Sequence, residues 1–353
     1  MNRKYLDKIF SDKKLDAIIS FAPQTRLWLT TIQSTDGIVV IEKEKSFVFV
    51  DGRYIEYAQK QVKNAELILL AGDALKNFFS PKKAQYKRIG VEKDYLTLSD
   101  FNRIKAYFPE AEYIEINGQE LRILKDEEEV KKLQKAIDIS LEAYNKLLPE
   151  LKEGQTEQEI DRKLNFIMKE LGAQKECFDS IIASGPNSAI PHHHPTDRKI
   201  KKGELLKIDF GAIYDGYGAD ITRTFVFGEK ANNPKAEEIL QIVKEAAQKG
   251  RQAVRPGIKS SEVDRVCREY IEQKGYGKYF VHSTGHGLGI DVHELPNVSG
   301  SCDIILEEGM VITVEPGIYI EGLGGARIED DLLVTKDGSI TLSRKNEING
   351  FQK

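Results

Sequence analysis

Gly203-Glu-Leu-Leu-Lys-Ile-Asp209-Phe-Gly211-Ala-Ile-Tyr-Asp-Gly216-Tyr-Gly218-Ala-Asp220-Ile-Thr-Arg223 is an apolar run that ends on a carboxylate. A glycine-rich turn follows, and a second carboxylate stands where the chain resumes. The run reads as a strand and the turn as a hairpin. The pattern recurs: Gly203, Asp209, Gly211, Gly216 and Gly218 have the relative spacing of Gly309, Glu315, Gly317, Gly322 and Gly324. A second correspondence precedes each copy. Gly154-Gln-Thr-Glu-Gln-Glu-Ile-Asp-Arg162 matches Gly257-Ile-Lys-Ser-Ser-Glu-Val-Asp-Arg265, and each leads into a helix closing near Gly172 or Gly275. These matches imply a duplicated unit of helices plus a β-hairpin. Two such halves about a pseudo-twofold axis would bring the carboxylates to one site from both sides.

Upstream, Asp126 reads as an N-cap, with Glu129 three residues on as in a capping box. Val130, Leu133, Ile137, Leu141, Tyr144 and Leu148 then recur at spacings of three and four, the apolar face of one long amphipathic helix. The domain boundary is placed at Leu121 to Lys125, giving domains 1–122 and 123–353. In the first, Asp16 to Phe21, Gly37 to Ile41, Phe47 to Val50 and Leu67 to Leu70 read as strands. Arg53 to Val62 and Leu98 to Phe108 read as helices. This predicts an α/β domain with a mixed sheet, followed by an α+β domain with an internal pseudo-twofold.

The chain has 353 residues, 40% apolar and 31% charged, with a formal net charge of −4. That balance gives no sign of a nucleic-acid partner. Met1 to Asp16 carry charges throughout and resemble no signal peptide, and no stretch is long enough to span a bilayer. Cys177, Cys267 and Cys302 form neither a metal-type pair nor a disulfide framework. A cytoplasmic protein without a membrane partner is the expectation.

All six histidines fall between His192 and His293, among the candidate carboxylates. Glu315 interrupts Met310-Val-Ile-Thr-Val314, where an unpaired carboxylate beside a core is costly. A metal would neutralise it. Asp209, Asp220, Glu315 and Glu329 together with His286 match a dinuclear site. Four carboxylates balance two divalent cations, which bridging carboxylates hold about 3.5–4 Å apart. The oxygen-rich set favours manganese over a structural zinc, with cobalt, iron and catalytic zinc left open. Strand alternation sends Asp330 to the face opposite Glu329.

The motifs in order are Ser184-Gly-Pro-Asn-Ser-Ala-Ile-Pro-His192, Ile208-Asp-Phe-Gly211, Asp220-Ile-Thr-Arg-Thr224 and His282-Ser-Thr-Gly-His-Gly-Leu-Gly289. Then come Val292-His-Glu294, Glu315-Pro-Gly-Ile-Tyr319 and Arg327-Ile-Glu329. This set resembles the Xaa-Pro aminopeptidase and Xaa-Pro dipeptidase (prolidase) family of pita-bread metallopeptidases. The resemblance implies a pita-bread catalytic domain behind a creatinase/aminopeptidase-like N-terminal domain. It implies that Asp209 binds one metal, that Asp220 and Glu329 bridge both, and that His286 and Glu315 complete the other site. His192 and His293 would contact the substrate carbonyl, and Glu315 would shuttle a proton. His282 and Arg327 would line the substrate cleft, with Arg327 steadying Glu329. His193 and His194 have no implied role and read as loop residues. The implied substrates are peptides with proline in second position, and the implied assembly is a homodimer. Asp51-Gly-Arg-Tyr54 resembles a motif of the aminopeptidase branch. Some prolidase-like members carry a basic residue where this chain has Asn297, so aminopeptidase is preferred and dipeptidase is the alternative. A metal-free creatinase-like enzyme and a non-enzymatic pita-bread binding module are expected to lack part of the ligand set, which is complete here.

Overall fold

The structure is a computed structural model and describes residues 2–344. The chain divides between Leu124 and Lys125 into two units. The first contains, in order, α1 (Lys4–Lys13), β1 (Ala17–Ser20), α2 (Pro23–Thr30), β2 (Ile38–Ile41), β3 (Ser46–Val50), α3 (Ile55–Gln61) and β4 (Glu66–Leu69). It continues with α4 (Ala74–Phe79), β5 (Arg88–Glu92), α5 (Leu98–Tyr107), β6 (Glu112–Ile116) and α6 (Gly118–Leu121). The strands form one sheet of order β4-β3-β2-β1-β5-β6. Its middle pairs, β1–β2 and β2–β3, are antiparallel, and the pairs β3–β4, β1–β5 and β5–β6 are parallel. The mixed sheet expected from the sequence is therefore present. Strand β6 has no clean apolar signature because its glutamates face solvent on an edge strand, as edge strands tolerate.

The second unit opens with α7 (Glu127–Leu147), whose N-cap is the expected capping box. The Asp126 carboxylate accepts from the Glu128 and Glu129 N–H groups, and the Glu129 carboxylate accepts from the Asp126 N–H. Leu133, Ile137, Leu141 and Tyr144 are buried along one face, as the spacing predicts. The rest comprises α8 (Glu157–Glu170), β7 (Lys175–Glu176), β8 (Ile181–Ser184), β9 (Leu205–Phe210), β10 (Ala212–Tyr214), β11 (Tyr217–Gly218) and β12 (Ile221–Val226). After these come α9 (Pro234–Ala253), α10 (Ser260–Gln273), β13 (Gly285–Gly287), β14 (Glu294–Val298), β15 (Val311–Val314), β16 (Gly317–Ile320), β17 (Gly324–Arg327), β18 (Asp330–Val334) and β19 (Ser339–Thr341).

The duplication is visible element by element. Helices α8 and α10 have 14 residues each, and α7 and α9 have 21 and 20. Gly154 and Gly257 take φ of +90° and +87°, a conformation that favours glycine. Their N–H groups bond the carbonyls of Ile200 and Leu306. Isolated bridges join Thr156 to Lys199 and Lys259 to Ile305 at the matching places. In each half an outer strand, β8 or β13, pairs antiparallel with the strand leading to the first carboxylate, β9 or β15. A small hairpin follows, β10–β11 or β16–β17, and then a return strand, β12 or β18. The halves differ in hairpin length. Eleven positions separate Asp209 from Asp220, and fourteen separate Glu315 from Glu329. The longer second hairpin carries Arg327.

Strand β9 shows how the fold sorts side chains. Leu206, Ile208 and Phe210 enter the core, where the Phe210 ring stacks on Tyr144 of α7 at 5.2 Å and 10°. Lys207 and Asp209 alternate to the other face. No helix among the described residues is long and apolar enough to cross a membrane.

Glu129 supports the start of α7 at an electrostatic cost. Its second carboxylate oxygen accepts from the Tyr217 O–H at 3.1 Å. Burial pushes the carboxyl up to about 7 from 4.5, opposed by Lys125 and by the Tyr217 bond. A raised pKa means that the folded state holds the proton more tightly than the unfolded state. The stability it contributes is therefore full below about 4.5 and is lost as pH rises through about 7. Glu129→Gln cannot titrate. Urea denaturation at pH 5 and pH 8 should show wild type losing ground to the variant by up to about 3 kcal/mol. A difference independent of pH would refute this account.

Candidate metal centre

Each candidate ligand sits at the end or centre of a strand that aims it into one cleft. Asp209 lies near the end of β9, and Asp220 immediately precedes β12. His286 is the central residue of β13, Glu315 follows β15, and Glu329 precedes β18. The glycines around these strands allow contacts that a side chain would block. A Cβ at Gly211 would lie 1.7 Å from the Ala219 carbonyl oxygen, and one at Gly285 would lie 2.1 Å from that of Thr313.

The halves meet directly beneath the site. The Glu329 N–H bonds the Thr222 carbonyl at 3.1 Å, and the Arg223 guanidinium bonds the Glu329 carbonyl at 2.6 Å. Single donor atoms of Asp220, His286 and Glu329 all lie within 4.8 Å of one another. His286 Nε2 is 3.2 Å from Glu315 Oε1 and 3.5 Å from Asp220 Oδ2. Its Nδ1 lies 3.0 Å from the Gly287 carbonyl, which directs Nε2 at the carboxylates. The cleft has a volume of about 470 Å³. It is lined by these three residues with Asp209 and Glu315, and also by His192, His282, His293 and Arg327. The tertiary structure thus brings every site residue read from the sequence into one cleft.

The electrostatics of the carboxylates are strained. Burial, then the neighbouring Asp220, Glu315 and Asp209, raises the Glu329 carboxyl well above its usual range. Burial likewise pushes Asp220 up to about 7, against the pull of His286. Burial acts on Glu315 as well, but the His286 hydrogen bond and charge outweigh it and bring that group down to about 2. Two buried oxygens, Asp209 Oδ1 and Glu329 Oε1, have no hydrogen-bond partner. Unsatisfied buried carboxylate oxygens around one imidazole are the donor set that divalent cations satisfy. The residues present therefore fit divalent cations.

Arg327 was expected to line the substrate cleft and steady Glu329. It lines the cleft, and its guanidinium forms an ion pair with Asp209. It also donates to Thr222 Oγ1 at 3.0 Å, Tyr319 Oη at 2.8 Å and the Pro191 carbonyl at 3.3 Å. It reaches Glu329 only through Thr222, whose O–H bonds Glu329 Oε2 at 2.7 Å. Buried in the cleft wall, it bonds four protein groups. His193, read as a loop residue, is buried against the Glu157 carboxylate at 2.8 Å, whereas His194 is exposed at the cleft. Asp330 does point away from Glu329, into Arg223, Arg251 and Arg344. Tyr319 links His282 Nε2, at 2.8 Å, to Arg327, a link that its place in the Glu315–Tyr319 motif hinted at. Glu157 and Lys207 carried no sequence signal, because their partners come from another part of the chain.

Asp220→Ala and Glu329→Ala each remove a carboxylate from the tightest cluster. Metal analysis should find zero or one ion per chain in either variant, with activity abolished. Two ions retained at near-normal turnover would overturn the assignment.

Residues 131–336 match the family described as metallopeptidase family M24, and residues 3–124 match the creatinase/prolidase N-terminal domain. An Xaa-Pro dipeptidase of Pyrococcus furiosus is 36% identical, with 96% of each chain covered. The solved Xaa-Pro dipeptidase from Bacillus anthracis superposes with a TM-score of 0.90 at 37% identity, covering 98% of this chain and 97% of that one. The solved X-Pro aminopeptidase from Thermotoga maritima gives 0.88 at 33% identity, covering 97% and 99%. With both halves of the chain matched and the ligand cluster in place, this protein belongs to metallopeptidase family M24 and is a metal-dependent peptidase.

Proposed function

We propose that the protein is an Xaa-Pro aminopeptidase: it hydrolyses the bond between an N-terminal residue and a proline in second position. One observation carries the choice over a dipeptidase. A dipeptidase must hold the free carboxylate of its substrate beside the scissile bond, and a cation serves this best. Among the described residues lining the cleft, Arg327 is the sole arginine or lysine. Four of its five N–H donors are committed to Asp209, Thr222, Tyr319 and Pro191. Asn297, exposed at the cleft, is neutral. The dipeptidase reading draws its support from the names of the Pyrococcus furiosus and Bacillus anthracis relatives.

Bound divalent cations would polarise the scissile carbonyl and lower the pKa of water at neutral pH. Asp209, Asp220, His286, Glu315 and Glu329 would hold them. Glu315 takes the proton of the attacking water and returns it to the proline nitrogen. That nitrogen carries no N–H in the peptide and leaves as a secondary amine. His293 stands with its ring centroid 4.4 Å from that of His286. Burial, and then His286, holds its ring below the usual imidazole value. A neutral ring offers one N–H to the developing oxyanion. His192 faces the same cleft and serves the same carbonyl. His282, joined to Tyr319, lines the substrate side. The reading takes manganese as the metal and a cytoplasmic homodimer as the working form, which metal analysis and light scattering read directly.

His192→Ala and His293→Ala should keep both metals and lose roughly two to three orders of magnitude in kcat, as for other oxyanion donors. Unchanged rates would reduce both to loop residues. For substrate length, kcat/KM for Ala-Pro-Ala should equal or exceed that for Ala-Pro under the same metal. A strong preference for the dipeptide would make the enzyme a prolidase while leaving the metal centre intact.

A further inference from the structure

Lys207 is a fully buried lysine in the middle of β9, on the same face as Asp209 two residues on. Its ammonium donates to three backbone carbonyls: Ser188 at 3.3 Å, Ile190 at 2.7 Å and Pro191 at 3.2 Å. The Tyr319 ring covers it at 5.1 Å. An ammonium has three donors and no acceptor, so the three carbonyls satisfy it. Burying a charge is costly even when it is satisfied, and an apolar residue of similar length would pack there without that cost. The lysine therefore secures something that packing would not. Its acceptors lie in the four residues immediately before His192.

The other side of His192 is held as firmly. Glu157, the first residue of α8, is buried, and its carboxylate collects the polar groups of the same loop. Oε1 accepts from the Ser184 N–H and O–H, both at 2.8 Å, and from Asn187 Nδ2 at 3.1 Å. Oε2 accepts from His193 Nε2 at 2.8 Å, Thr196 O–H at 2.7 Å and Thr196 N–H at 3.1 Å. Arg327 adds a bond to the Pro191 carbonyl at 3.3 Å. Residues on both sides of His192 are thus pinned to buried charges, while His192 itself is exposed to the cleft.

We propose that Lys207 and Glu157 are positioning residues that clamp the loop from Ser184 to Thr196 so that His192 is presented to the scissile carbonyl. The clamp rests on the oxyanion role read above for His192. Lys207 touches no substrate; it acts by fixing the carbonyls of residues 188–191. Glu157 fixes Ser184, His193 and Thr196. Catalytic geometry is unforgiving of small displacements, so a loosened His192 loses rate more than substrate affinity.

A double-mutant cycle separates positioning from general support of the fold. Lys207→Met keeps the length of the side chain and removes its donors. With the metal-loaded enzyme and Ala-Pro-Ala, the expected result is a fall in kcat of about tenfold or more, with KM little changed and two metals retained. In a His192→Ala background the same substitution should change kcat by less than about threefold, because the residue it positions is gone. Equal fold-losses in the two backgrounds, or loss of a metal, would overturn the proposal. If Lys207→Met does not fold, Glu157→Gln enters the same cycle with the same expectation, and multiplicative losses there overturn it equally. The single His192→Ala variant tests the underlying reading by itself. Full activity in that variant removes the oxyanion role and the clamp together, whereas a slow His192→Ala with multiplicative losses removes the clamp alone.

Discussion

Four carboxylates line one cleft around the His286 ring, and the cost of burying their charge is the constraint on which the rest of the structure depends. Burial raises the pKa of Glu329 and Asp220, and the neighbouring carboxylates add to it. The chain offers limited compensation of its own: Arg327 on Asp209, and the His286 ring between Asp220 and Glu315. The remaining charge suits divalent cations. The apolar strands and the two pairs of long helices hold the ligands where repulsion would otherwise separate them. That same work makes the site ready for metal.

Duplication supplies the geometry economically. A strand, hairpin and return strand from each half place one carboxylate before the hairpin and one after it. The halves are then joined through hydrogen bonds such as those from Glu329 N–H to Thr222 and from Arg223 to the Glu329 carbonyl. The symmetry is broken where the chemistry needs it. The second hairpin is longer and supplies Arg327, and the second outer strand carries His286 where the first carries no metal-type donor. The helices that begin the matching repeats also diverge. Glu157 of α8 gathers the loop before β9. On α10, Asp264 pairs with Arg268 and accepts from the N–H and O–H of Thr284, just ahead of His286.

Relatives carry different names, dipeptidase for that of Pyrococcus furiosus and aminopeptidase for that of Thermotoga maritima. Buried charges in this protein hold protein: Lys207 and Arg327 bind its own carbonyls and carboxylates, and Lys125 pairs with Glu294, which also takes the N–H groups of Ile290 and Asp291. That last pair steadies the turn leading to His293.

Much of this was readable in the sequence, for local reasons. The capping box at Asp126, the apolar spacing of α7, the glycine spacings of the two hairpins and the carboxylates that interrupt apolar runs all express short-range energetics. Backbone periodicity and the cost of a charge in a strand act within a few residues. The five candidate ligands and the flanking histidines were singled out that way, and the family resemblance implied their roles. The partners of Arg327, Lys207 and Glu157 were not legible. Arg327 meets Asp209 across 118 positions, and His193 meets Glu157 across 36. Nothing within a few residues of Lys207 distinguishes a buried clamp from a solvated lysine on a strand edge. Sequence alone singled out the candidate side chains, because their types and spacing follow from local rules. The tertiary structure alone decided which charges converge on the cleft and which bond the loop beside it, because that choice is made by chain segments that meet only after folding.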